Sequence, residues 1–329
     1  MKSIAFFNNK GGVGKTTLVY HLAWMYSSRG LSVLVMDLDP QANLSAMFLE
    51  DQRLAELWED GENGTVVDSL RPLIARTGDI APPHVEMIGK KIGLVPGNLA
   101  LSRFEGLLSE NWSKCLDGEE AAFRVITAFH RIMRQAAAGI HADVILIDVG
   151  PNLGAINRSA LIAAEQVVLP LAPDLFSLQG LRNLGPTLLD WRRGWRKRLA
   201  EMPSQAGIDA PTGEMQPLGY VVMQHGVRES RPVKAYGRWL DRIPGVYREA
   251  VLDTPEAKAP AIEEDPHCLS MLKHYRSLMP MAMDARKPMF SLKPADGAIG
   301  AHVEAVRACH DDFLALAERI AARSGFAVS

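Results

Sequence analysis

The sequence predicts a doubly wound α/β fold, with a mostly parallel sheet and helices on both faces. Three observations carry this. Short apolar runs recur at wide intervals and are continuous rather than alternating, as strands buried on both faces require. Helical patterns separate these runs. The first run leads through a glycine-rich turn and a helix into a second run, a complete unit of the parallel type.

Taken in order, residues 3–7 read as the first strand and Lys10 to Gly14 as the turn. Residues 15–29 read as a helix, because Leu18, Leu22 and Met25 fall at helical spacing and Gly30 stands where a C-terminal cap belongs. Residues 32–36 form the second strand and end at Asp37. Further strands are expected at 92–95, 144–147, 167–171 and 220–223. Helices are expected at 119–138, 155–164, 178–199 and 303–322. Residues 50–91 are polar and punctuated by Gly and Pro, with one helical piece near 66–73. Residues 203–216 read as a surface loop. No repeat or low-complexity tract is visible, and one elaborated domain over 1–329 is the expectation.

Composition narrows the function classes. Of 329 residues, 47% are hydrophobic and 22% charged, which allows a sizeable core and excludes a wholly disordered chain. Lys plus Arg is 36 against 38 for Asp plus Glu, a net charge of -2 that excludes a globally basic chain but not a local basic patch. Cys115, Cys268 and Cys309 lie far apart with no CxxC, which excludes a disulfide framework and any local zinc or iron–sulfur signature. No apolar run has the length of a membrane span, and the N-terminal stretch lacks a signal-peptide core. A cytoplasmic protein is expected.

The strongest chemical signal is Lys10-Gly11-Gly12-Val13-Gly14-Lys15-Thr16-Thr17, between a predicted strand and a predicted helix. Glycines let backbone N–H groups converge on phosphate oxygens, and the helix start adds its positive dipole end. Lys15 would reach the β- and γ-phosphates, and the Thr16 hydroxyl would ligate Mg²⁺. Asp37 and Asp39 flank Leu38 after the second strand, so they emerge on one side at the C-terminal sheet edge, beside this loop. The run from Val144 ends in Asp148, a carboxylate placed to accept a Mg²⁺-bound water.

The loop departs from the ordinary pattern, since Asn9 replaces the first glycine and Lys10 is an extra cation. In this it resembles the ParA/MinD family of deviant Walker A ATPases, and the resemblance covers most of the chain, from Lys2 to about Ala322. It implies a P-loop NTPase fold, ATP and Mg²⁺ as cofactors, and slow, partner-stimulated hydrolysis. It implies that Lys10 reaches across an ATP-bound homodimer to the partner's nucleotide. It implies that Asp39 orients the attacking water and helps hold the Mg²⁺ shell, with Asp37 supporting the ion indirectly. Gly150 and Asn152 depart from the second proline and the serine usual after the Asp148 strand. The stretch from Leu169 to Leu181 also looks like ParA, where it leads into a helix of the dimer face.

Asp37-Leu38-Asp39-Pro40-Gln41 and Asn9-Lys10-Gly11-Gly12 favour the partition-type branch, and, with the first strand at the start of the sequence, the N-terminal DNA-reading domain of larger relatives is not expected. Five cations accompany two tryptophans in Trp191–Arg198, including Arg192 and Arg196, and a second cluster holds Lys273, Arg276, Arg286 and Lys287. The resemblance makes these candidates for non-specific double-stranded DNA, with Lys273, Arg276 and Lys287 favoured and the tryptophans read as packing residues. Solvated helix faces are the alternative. A ParB-like or other adaptor is the expected partner, and Gln224 is the candidate adenine contact. A MinD-like membrane cycler needs a basic amphipathic tail, whereas Arg319 and Arg323 are joined by Glu318. A nucleotide switch for defence or protein-complex positioning also remains open.

Overall fold

The computed structural model describes residues 1–59, 64–223, 233–256, 258–275 and 277–328. Eight strands form one sheet: β1 (Lys2–Phe6), β2 (Val33–Leu38), β3 (Glu86–Ile88), β4 (Ile92–Val95), β5 (Val144–Val149), β6 (Gln166–Leu171), β7 (Gln216–Met223) and β8 (Cys268–Leu272). Their spatial order is β3-β4-β2-β5-β1-β6-β7-β8. All neighbours are parallel except β3, which pairs antiparallel with β4 at the edge. β3 and β8 were not expected from the sequence.

The helices are α1 (Lys15–Ser28), α2 (Asn43–Phe48), α3 (Asp51–Trp58), α4 (Val66–Ile74), α5 (Phe104–Lys114), α6 (Glu120–Ile126), α7 (Ala128–Gly139), α8 (Ala155–Ala163), α9 (Leu175–Ala200), α10 (Val233–Leu240), α11 (Ile243–Ala250), α12 (Leu278–Ala285) and α13 (Ala301–Ser324). Successive strand residues point to opposite faces, and both faces are apolar and covered. Ile4, Phe6, Val33, Val35, Val144 and Leu146 pack beneath α1 and α13. Ala5, Leu34, Met36, Ile145 and Ile147 pack beneath α4 to α9 and α11.

One helix expectation is corrected. The predicted helix over 119–138 is two, α6 and α7, separated at Thr127, whose hydroxyl donates back to the Phe123 carbonyl at 2.7 Å. The helix expected over 178–199 is α9, which runs unbroken through Gly194 for 26 residues. A Cβ at Gly194 would stand 3.2 Å from the Trp112 ring, so the glycine admits a close neighbour. Trp195 is fully buried, stacks on Trp112 and donates to the Pro211 carbonyl, so segment 203–215 lies over it.

His21 fixes α1 to the far side of the chain. Its Nδ1 donates to the Thr17 carbonyl at 2.7 Å, its Nε2 accepts from the Met289 amide at 3.1 Å, and the ring stacks on Phe313. Burial pushes this imidazole down to about 4, so it is held neutral.

Candidate active site

Residues 7–14 join β1 to α1 at the C-terminal sheet edge. Asn8 anchors the turn: its side-chain amide donates to the Pro170 carbonyl at 2.6 Å, and its Oδ1 accepts from the Lys10 amide at 2.9 Å. Gly12 and Gly14 have φ of 71° and 89°, conformations that side-chain-bearing residues resist. Gly14 is the N-cap of α1 and offers no side-chain cap, so that helix start is left open to an anionic ligand.

The carboxylates assemble beside it as their strand alternation requires. Asp37 of β2 and Asp148 of β5 are register partners, on the face shared with α1. Both are fully buried. One Asp37 oxygen accepts from the Ser45 amide at 2.8 Å and the Ser45 hydroxyl at 2.7 Å, and Ser45 accepts in turn from the Gly97 amide. Burial pushes the Asp37 carboxyl up to about 7, against those hydrogen bonds. Burial first, and the neighbouring Asp37 second, push Asp148 above the usual carboxylate range. Burial draws the Lys15 ammonium down, while Asp148 and Asp39 hold it up. Asp39 accepts from the Gln41 amide at 3.0 Å.

These residues fit a hard divalent cation. Both oxygens of Asp148 and one of Asp37 are buried without a hydrogen-bond partner, and the Thr16 hydroxyl lies against Asp148 without closing a bond. Among the described residues no group of three or more His, Cys, Asp or Glu converges as a metal cage.

A cavity of about 730 Å³ opens from the loop, lined at one end by Gly12, Lys15, Thr16 and Asp39. Its other end is apolar, formed by Tyr20, Met47, Met279 and Met283. Arg286 closes the rim, donating to the Leu49 carbonyl and to Asp51. Lys10 stands apart from Lys15. Its ammonium is paired with Asp174 at 2.5 Å and sits 5.7 Å from the centre of the Phe176 ring. Although burial opposes it, the Lys10 ammonium and the Ser177 amide hold the Asp174 carboxyl below its usual range. Phe176 is 74% exposed and Leu175 50%.

The basic candidates do not share one setting. Lys273 is exposed, 3.9 Å from Asp312. Lys287 pairs with Asp296 at 2.7 Å and lines the cavity described above. Arg192 is half-buried and donates to the Met215 carbonyl, whereas Arg196 is exposed. Gln224 and Arg276 lie outside the described residues. Sequence reasoning missed Ser45, Gly97 and the pairing of Asp174 with Lys10. Only Asp174 carried a local signal, as an aspartate at a helix N-cap accepting from Ser177.

The family described as AAA domain matches residues 1–200. Protein IncC of Escherichia coli is 31% identical over 195 residues, 59% of this chain and 47% of IncC. The chain thus spans less than half the length of that relative. The chromosome-partitioning ATPase Soj of Thermus thermophilus is 30% identical over 204 residues, 60% of this chain and 66% of Soj. The solved structure of protein DIP2308 from Corynebacterium diphtheriae superposes with a TM-score of 0.65 at 26% identity, covering 87% of this chain and 97% of that one. With a phosphate loop carrying Lys10 as well as Lys15, and the family match over residues 1–200, the chain belongs to the ParA/MinD family of deviant Walker A ATPases.

Proposed function

We propose that this chain is a Mg²⁺-dependent ATPase of the partition type. It dimerises on ATP, binds duplex DNA without sequence preference, and positions a cargo through an adaptor protein. The observation that carries this reading is Lys10. A second loop lysine, paired with the half-buried Asp174 rather than with the buried carboxylates and beside exposed Leu175 and Phe176, supports a role toward another molecule. The name of the Thermus thermophilus relative supports the partition branch.

Lys15 binds the β- and γ-phosphates. Thr16 and Asp148 hold the cation site, and Ser45 keeps Asp37 in place behind it. Mg²⁺, when bound, would supply neutralisation of the developing phosphate charge. Asp39 orients the attacking water, and the Met-lined end of the cavity offers the nucleoside an apolar wall. Lys273, Arg276 and Arg196 contact DNA phosphates, joined by Lys287 and Arg192 where their present partners release them. Two copies on one duplex would roughly double the phosphates neutralised and steepen the salt dependence.

The test is a mobility assay with random duplex DNA, comparing ATP with ADP at several salt concentrations, alongside sizing. ATP-dependent dimers that bind every sequence and dissociate in salt are expected. Dimers that ignore DNA at low salt but bind anionic vesicles would replace this reading with a membrane-cycling one.

A further inference from the structure

The loop that follows Asp148 is held from outside itself. α8 starts at Ala155 after Gly154, an N-cap with no side chain, and its first turn contains no acidic residue. The orphan N–H groups there go instead to Glu105, at the first turn of α5. Glu105 Oε1 accepts from the Ala155 amide at 2.5 Å and Oε2 from the Ile156 amide at 2.8 Å. Gly154 makes room for this, since a Cβ there would meet Glu105 Oε1 at 2.7 Å.

From α8 the hold passes back to the loop. The Asn157 side-chain amide donates to the carbonyls of Gly150 and Asn152, both at 2.7 Å. A Cβ at Gly150 would lie only 3.3 Å from Asp39 Oδ1, so this backbone forms one wall beside Asp39. Glu105 also belongs to the segment that touches the other carboxylate. Gly97 donates to Ser45, which holds Asp37, and accepts from the Trp58 ring nitrogen at 3.1 Å. Segment 97–105 thus braces both carboxylate-bearing loops.

We infer that Glu105 is a positioning residue for hydrolysis, setting the 149–154 loop against Asp39 through α8 and Asn157. This rests on the proposed ATPase reading. A local Ser or Asp cap would stabilise α8 equally well. A remote carboxylate does more, because it makes the loop's position depend on segment 97–105.

Cap and brace are separable. In Glu105→Ala, kcat should fall by about tenfold while KM for ATP changes by less than about twofold. Adding Gly154→Ser supplies a local cap in the vacated space. Its remaining close neighbour, Asn152 Oδ1, accepts from the Gly154 amide at 2.9 Å and from Asn157 at 3.1 Å. The double variant is therefore compared with Gly154→Ser alone, which should keep wild-type kcat and exchange. The double variant should regain the thermal midpoint but not kcat, and its amides at 150 and 152–154 should still exchange about tenfold faster than wild type. Recovery of kcat and exchange together with the midpoint would make Glu105 a helix cap only and overturn the inference. Glu105→Gln, which keeps the shape but not the charge, should shift kcat and exchange in the same direction as Glu105→Ala. Wild-type values for both in that variant overturn the inference too. An inactive wild type would count against the ATPase reading instead, and the exchange measurement still decides the brace.

Discussion

Lys10 and Asp174 form an ion pair at 2.5 Å between positions 164 residues apart, and within one chain. The lysine proposed to serve a partner's nucleotide is therefore already engaged at home. About a third of each side chain is exposed, so the pair contributes about 1 kcal/mol or less. Asp174→Asn keeps an N-cap for α9 and removes the charge. The ATP-dependent dimer should then form at several-fold lower protein concentration, read by sizing across a dilution series. An unchanged midpoint would show that the pair does not restrain Lys10.

Lys10→Ala should keep nucleotide binding, because Lys15 serves the phosphates of its own chain, but lose ATP-dependent dimerisation and turnover. Fluorescent-nucleotide titration and sizing separate the two effects. Equal dimerisation of variant and wild type would remove the role between subunits.

Asp39→Ala should bind ATP and hydrolyse it about a hundredfold more slowly, since water positioning is lost. Sizing should find it dimeric long after wild type has returned to monomer. Lys15→Ala should lose nucleotide binding itself. Wild-type affinity in that variant would place the phosphates elsewhere.

Gly97→Ala would put a methyl group 2.9 Å from the Asp37 carboxyl carbon, in a fully packed site. Overpacking of this kind costs about 1–3 kcal/mol. Urea unfolding should show that loss, and ATP binding should need more Mg²⁺ than in wild type. A variant with unchanged stability and unchanged Mg²⁺ demand would mean that the Asp37 pocket is looser than its contacts imply.

The His21 imidazole falls from 6.5 to about 4 on folding. Between those values the unfolded chain binds the extra proton. The stability held by neutral His21 is therefore complete above its unfolded pKa and lost as pH falls toward 4, about 3 kcal/mol in all. Urea unfolding of wild type and His21→Gln at pH 7.5 and 4.5 should show the steeper loss in wild type. Parallel pH dependences would assign the acid sensitivity to other groups.

What the sequence revealed follows the range of the physics. Glycines at a strand–helix junction and alternation along β2 are local, so the phosphate loop and the shared side of Asp37 and Asp39 could be read directly. β3 has three residues and no pattern, and β8 buries Leu269 and Leu272, three apart rather than alternating, so neither announces itself. α12 holds Pro280 among methionines and depends on packing against the rest of the chain rather than on propensity. Glu105 lies 50 residues from the amide of Ala155, and nothing near it in sequence marks it as a cap. Gly194 is explained at a similar distance: its missing side chain serves Trp112, a residue on another helix.

β1 sits in the middle of the sheet, with Lys2 opposite Val144 and Ile4 opposite Gln166. During synthesis this first strand therefore leaves the ribosome long before either neighbour exists. Until residue 170 has emerged, Asn8 lacks the carbonyl that anchors the turn. A nascent chain stalled before β5 carries the complete phosphate-loop sequence and no phosphate site, while both edges of β1 stand open to other chains.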